Sequence, residues 1–232
     1  VTTHDDAARR GRFITIEGPD GSGKTTLARL LSDQLRAAGI ATVLTREPGG
    51  TALGERIRQI LLDVGADRQE LDAATDALLF SAARARHVEE IILPSLRRGE
   101  VVISARYADS TIAYQGYGAG LPLDTLRAIQ VMATGGLVPD LTILLDVPVA
   151  QGLARKAAEI TRFEESFDLA YHERVRAGFL EMAAAEPSRW VVVDALAGEA
   201  EVLGAALRAC GRFAEVATRL GADRSRLERT SR

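Results

Sequence analysis

Eight residues near the start, Gly18-Pro-Asp-Gly-Ser-Gly23-Lys24-Thr25, constrain what this chain can fold into more than any other stretch. They fit the pattern G-x-x-x-x-G-K-[ST] and lie between an apolar run, Phe13–Glu17, and a segment with leucines at 27, 30, 31 and 35. The run reads as a buried strand, and the leucine spacing predicts an amphipathic helix from Lys24 to Ala38, stopped by Gly39. In such a turn, glycines let backbone N–H groups converge on phosphate oxygens with no Cβ in the way, and the helix adds its positive end. The loop therefore binds a nucleoside triphosphate through Gly18, Pro19, Asp20, Gly21, Ser22, Gly23, Lys24, Thr25 and Thr26. In this pattern Lys24 reaches the β- and γ-phosphates, and the Thr25 hydroxyl is a Mg²⁺ ligand.

The alternation continues along the chain. Strands are predicted at Ala41–Thr45, Glu100–Ser104, Asp140–Val147 and Arg189–Ala195. Helices are predicted at Leu53–Leu62, Leu71–Leu96, Thr111–Tyr117, Leu123–Ala133, Val149 to about Ala158, Glu164–Ala185 and from Glu199. Pro94 falls near the end of the longest helix, where a kink does least harm. Strands separated by helices imply an α/β domain: an open parallel sheet of five strands, with right-handed crossovers and helices on both faces. Ligands in such sheets bind at the carboxyl ends of the strands, so the segments after strands one to four should carry the chemistry. The expected organisation is a disordered tail over 1–11, a phosphate-loop domain over 12–210 with a short lid at about 155–164, and a helix end with a basic tail over 211–232.

Composition narrows the function classes. With 29 Lys plus Arg against 32 Asp plus Glu, the net charge of −3 offers no large positive field for nucleic acid. One cysteine, Cys210, gives no internal disulfide and no cysteine-rich metal site. The apolar runs are far shorter than the ~20 residues a membrane helix needs, and the polar start lacks a signal-peptide core. A cytoplasmic protein is expected. No N-K-x-D stretch of a guanine reader is present, and Val147, not Glu, follows Asp146. Transfer to an acceptor is thus favoured over hydrolysis.

The acceptor candidates sit where the topology directs. After strand two come Glu47 and Pro48 in "REPGG", a loop offering a carboxylate and exposed backbone. Phe80 and Arg84 are four residues apart on one helical face, a ring beside a guanidinium fork that suits a planar base. Arg106 emerges at the end of strand three, placed to offset charge during transfer. Arg155, Lys156 and Arg162 cluster between two helices as a basic lid.

Together "FITIEGPDGSGKTT", "LTREPGGT", "LGERIRQILLD", "LLFSAARARHVEEII", "RYADSTIAYQGYG", "PDLTILLDV" and "RFEESFDLAYHERVR" closely resemble the bacterial thymidylate kinase family, from about Phe13 to Asp194. The resemblance implies a nucleoside monophosphate kinase-like three-layer fold with strand order 2-3-1-4-5. It implies ATP-dependent phosphorylation of dTMP to dTDP with Mg²⁺, in a homodimer. Residue by residue, it implies Phe80 stacked on thymine, Arg84 at its carbonyl edge, and Thr111 and Gln115 along the base. Tyr114 would crowd the 2′ position of the sugar, Asp20 would face its 3′-hydroxyl, and Arg58 and Arg106 would contact the acceptor phosphate. Lys24, Arg106, Arg155 and Arg162 are the implied catalytic cations. One type in the family keeps its catalytic arginine in the lid, and since this loop has none, the lid type is implied.

One position departs from the family pattern. Where an Asp normally precedes the Arg that ends strand three, this chain has Ala105, so a carboxylate near Mg²⁺ is missing. Asp20, Asp109 and Asp146 are the candidate replacements. Two alternatives remain open at this point: another nucleotide or deoxynucleoside kinase, or a weakly active nucleotide-binding homologue.

Overall fold

A computed structural model describes residues 10–62, 71–156 and 168–221. Its elements are β1 (Phe13–Glu17), α1 (Lys24–Ala37), β2 (Thr42–Arg46), α2 (Ala52–Leu62), α3 (Ala73–His87), α4 (Leu93–Arg97), β3 (Val101–Ala105), α5 (Ala108–Thr111), α6 (Leu123–Thr134), β4 (Leu141–Asp146), α7 (Val149–Lys156), α8 (Leu169–Ala185), β5 (Trp190–Asp194) and α9 (Glu199–Cys210).

The five strands form one parallel sheet in the order β2-β3-β1-β4-β5, the order that the family resemblance implies. β1 lies at the centre, with Ile16 opposite Ala105 on one side and Ile143 on the other. Every residue of β1 and β3 is buried, whereas the edge strands β2 and β5 are partly exposed. That burial is why the central strands read as mostly apolar runs, interrupted by the buried polar residues Thr15, Glu17, Ser104 and Thr142.

The two-residue period of the strands divides the core. Ile14 and Ile16 pack with Leu27, Leu31 and Phe213 on the side of α1 and α9. Phe13 points the other way, to Ile92, Val102 and Tyr107. On that second side, Leu144 meets Tyr114, Phe179 and Trp190. Each fully buried Leu or Ile contributes about 1.5–3 kcal/mol, so both layers are needed to fix the central strand.

Several boundaries differ from the sequence reading. β2 and β3 start and end one residue later, and β4 and β5 are trimmed by one at each end. The expected helix 71–96 is interrupted by a π-helical turn at Val88–Ile92. Pro94, which has no N–H to give the preceding turn, is the second residue of the helix that follows. A second π-helical segment, Ile112–Gly118, continues α5, which begins at Ala108 and not at Thr111. The core also continues past Cys210, because Phe213 and Val216 join it and residues 214–221 are helical. At the other end, the Gly11 N–H donates to Leu96 O at 2.8 Å and Arg10 pairs with Asp140 at 2.7 Å. The remainders of both expected tails lie outside the described residues. Among the described residues no helix is long and apolar enough to cross a membrane.

Candidate active site

The phosphate loop joins β1 to α1 and rests on α7. A Cβ on Gly21 would lie 1.8 Å from Gly152 O, and one on Gly152 would lie 2.4 Å from Asp20 O. The two backbones touch, so α7 sets the height of the loop in the cleft. Lys24 Nζ donates to Gly18 O at 2.9 Å, Pro19 O at 2.6 Å and Ser22 Oγ at 3.3 Å. The ammonium therefore caps the loop from inside, where phosphate oxygens would exchange with these carbonyls. Thr25 and Thr26 are exposed at the mouth.

From the loop a cleft of about 500 Å³ extends to the segments that follow β2 and β3, lined by Asp20, Lys24 and Thr25 on the loop side and by Phe80, Arg84 and Tyr114 on the other. Pro48, Arg58, Arg106, Thr111, Gln115 and Arg155 also face it. Phe80 is half-buried and braces the small cluster of Ile57, Leu61 and Ala83, so it serves core and cleft together.

Arg84 is buried in a polar chain. Its Nε donates to Glu47 Oε2 at 2.7 Å, Nη1 donates to Thr111 Oγ1 at 3.1 Å and to Gln130 Oε1, and Nη2 donates to Tyr107 O at 3.1 Å. Glu47 is tied on its other oxygen to His87 Nδ1 at 2.9 Å, and His87 Nε2 meets Thr45 Oγ1 at 2.7 Å. Glu47, expected at the acceptor, lines the cleft and at the same time holds Arg84 and His87. Pro48, joined to it by a cis peptide, lines the cleft, and its carbonyl accepts from Arg58 Nη1 at 3.1 Å. Burial pushes the Arg58 pKa down, and neighbouring Arg46 and Arg106 push it further. An anion between these cations would relieve their repulsion.

Arg106 stands at the junction of the two halves. Its Nη2 donates to Asp20 Oδ1 at 2.5 Å, and its guanidinium lies 4.9 Å from the centroid of the Tyr114 ring. Its backbone takes φ 71°, in the left-handed region, and among the described residues it is the single non-glycine to do so. Behind it, fully buried Glu17 accepts from the Tyr107 N–H at 2.7 Å and from Ser110 Oγ at 2.6 Å. Burial first, then Asp109, raises the Glu17 pKa from 4.5 to about 7, against the opposing pull of Ser110 and Arg106.

The candidate metal ligands are sparse. Among the described residues no group of three or more His, Cys, Asp and Glu side chains is placed to hold an ion. Ala105 lines the cleft with a methyl group. Asp109 is held by Arg189 at 2.7 and 3.1 Å and Asp146 by Arg176 at 2.7 and 2.9 Å, and neither is among the residues that line the cleft. Asp20 remains at the cleft, bound to Arg106. This donor set fits a Mg²⁺ ion carried by a triphosphate, with Thr25 as protein ligand, better than a resident metal. Of the lid cations, Arg155 lines the cleft and its Nη1 donates to Ala195 O at 2.9 Å. The Lys156 side chain and Arg162 lie outside the described residues.

Three buried residues escaped the sequence reading: Glu17, His87 and Gln130. The first two left a signal. Glu17 is an acid ending an apolar run directly before the phosphate loop, and His87 is three residues from Arg84 on one helical face. Gln130 reaches Arg84 only through the packing of α6 on α3, which no spacing shows.

Comparison with known proteins gives one consistent result. Residues 16–204 match the family model described as thymidylate kinase. A thymidylate kinase of Thermomicrobium roseum is 56% identical over 186 residues, 79% of this chain and 86% of that protein. One of Deinococcus radiodurans is 51% identical over 195 residues, 83% of this chain and 93% of that protein. The crystal structure of thymidylate kinase from Ehrlichia chaffeensis superposes with a TM-score of 0.66 at 38% identity, covering 79% of this chain and 93% of that one.

Proposed function

The chain belongs to the thymidylate kinase family, enzymes that phosphorylate dTMP, and from that premise we propose how its residues divide the work, with ATP as donor. The observation that carries the reading is the single cleft joining the phosphate loop to the slot of Phe80, Arg84 and Gln115, with the Asp20–Arg106 pair between them. Gly18 to Thr26 hold the triphosphate, and Lys24 leaves the loop carbonyls for the β- and γ-oxygens. Thr25 is the hydroxyl that would hold Mg²⁺, whose charge offsets that of those phosphates.

On the acceptor side, Phe80 stacks on thymine and Arg84 donates to its carbonyl edge, fixed by Glu47, Gln130 and the Tyr107 carbonyl. Thr111 and Gln115 flank the base. Tyr114 crowds the 2′ position, and Asp20 receives the 3′-hydroxyl. Arg58 and Arg106 hold the acceptor phosphate in line with the loop, so that catalysis is positioning and charge stabilisation. Arg155 and Arg162 belong to a lid that adds cations on closing, and for Arg155 this means giving up the Ala195 carbonyl. The protein works in the cytoplasm, as a homodimer.

The test is ADP release in the presence of ATP and Mg²⁺ with and without dTMP. Release should require dTMP and match dTDP formed, and Lys24→Ala should slow it about a hundredfold, ~3 kcal/mol of barrier, without unfolding the chain. Nucleotide binding with no turnover would leave the non-catalytic homologue as the correct reading.

A further inference from the structure

We propose that Glu17 is a positioning residue for phosphoryl transfer: its buried carboxylate clamps the β3–α5 turn and thereby aims Arg106 into the cleft. The proposal rests on the reading above that Arg106 serves the acceptor phosphate.

The turn needs a clamp because Arg106 is held in a left-handed conformation that a long side chain rarely adopts without support. Three bonds supply it. The Arg106 N–H donates to Ile16 O at 3.0 Å, its carbonyl accepts from Ser104 Oγ at 2.8 Å, and the next N–H, of Tyr107, donates to Glu17. The second Glu17 oxygen takes the Ser110 hydroxyl, which itself lies beside Arg106 Nη1 at 3.5 Å. One side chain therefore fixes both the peptide leaving Arg106 and the first turn of the following helix. Glu17 also adjoins Gly18, so the clamp ties the donor loop and the acceptor arginine to one point on β1.

A purely structural acceptor would not need a charge here, and this charge is costly. Burial and the like charge of Asp109, itself paired with Arg189, raise the pKa to about 7, against the pull of Ser110 and Arg106. The folded pKa exceeds the unfolded value of 4.5, so the stability this group contributes is full below 4.5 and is lost as pH rises to about 7. At pH 8 the protein holds an ionised carboxylate that works against folding. Retention of such a group points to a role in activity.

The experiment compares Glu17→Gln, Arg106→Ala and the double variant. The amide keeps the shape, with one oxygen for the Tyr107 N–H, and removes the charge. At pH 8, Glu17→Gln should lower kcat about tenfold, leave KM for ATP unchanged, and melt no lower than the unsubstituted protein. Its kcat should also lose the part of the pH dependence centred near 7. In the Arg106→Ala background the same change should have no further effect, because Glu17 acts through that arginine. An equal loss in both backgrounds, superimposable pH profiles, or a lower melting temperature would each make Glu17 a structural residue only and overturn the proposal. If Arg106→Ala is impaired and Glu17→Gln is not, the clamp alone fails. If Arg106→Ala keeps full activity, the role of Arg106 fails and takes the clamp with it.

Discussion

Ala105 ends β3 at the cleft, opposite Ile16, with its carbonyl held by the Glu47 N–H at 3.0 Å. A methyl group there offers a metal nothing, and the acids around it are committed: Asp20 to Arg106, Asp109 to Arg189, Asp146 to Arg176 and Glu17 to the turn. Phosphate-loop amides, Lys24 and Thr25 still bind the nucleotide, so affinity for ATP should persist while the ion is loosely placed. Ala105→Asp should then raise turnover at least about tenfold, ~1.4 kcal/mol of barrier, and lower the Mg²⁺ needed for half-maximal rate. Overlapping curves of rate against Mg²⁺ for the two proteins would show that Ala105 is no lesion.

At the scale of elements, α2, α3 and α6 pack in a row, with α3 in contact with both neighbours. Their outer faces carry Leu53, Ile60, Leu78, Val131 and Met132, with Met132 79% exposed. We propose that these exposed residues meet a second copy of the chain. Met132→Glu should convert a species of two chain masses to one in sedimentation, and an unsubstituted protein already at one chain mass would remove the dimer. The elements themselves were largely legible in the sequence. β1 and α1 show in the apolar run and leucine spacing around the phosphate loop, and the central strands show because both their faces are buried. The π-helical turns did not show, since a period of 3.6 cannot register a local widening at Val88–Ile92 or Ile112–Gly118. The acceptor residues Phe80 and Arg84 were legible as a helical pair. Their supports, Glu47 held between Arg84 and His87 and Gln130 from another helix, depend on tertiary packing that spacing does not encode.

At the scale of the whole molecule, the sheet brings the donor loop after β1 and the acceptor segments after β2 and β3 to one edge, where a single cleft holds both. The far end of this cleft is the proposed site of a thymine deoxynucleotide. Phe80, Arg84 and Tyr114 line that end, Tyr114 being 7% exposed, and in the proposed reading Phe80 would face the planar ring, Arg84 would donate to a carbonyl and Tyr114 would crowd the sugar. The most direct measurement is the rate of ADP release with ATP, Mg²⁺ and a panel of monophosphates at equal concentration. dTMP should be fastest, dUMP weaker and purine monophosphates nearly inert. Equal rates with dGMP or AMP would contradict that reading.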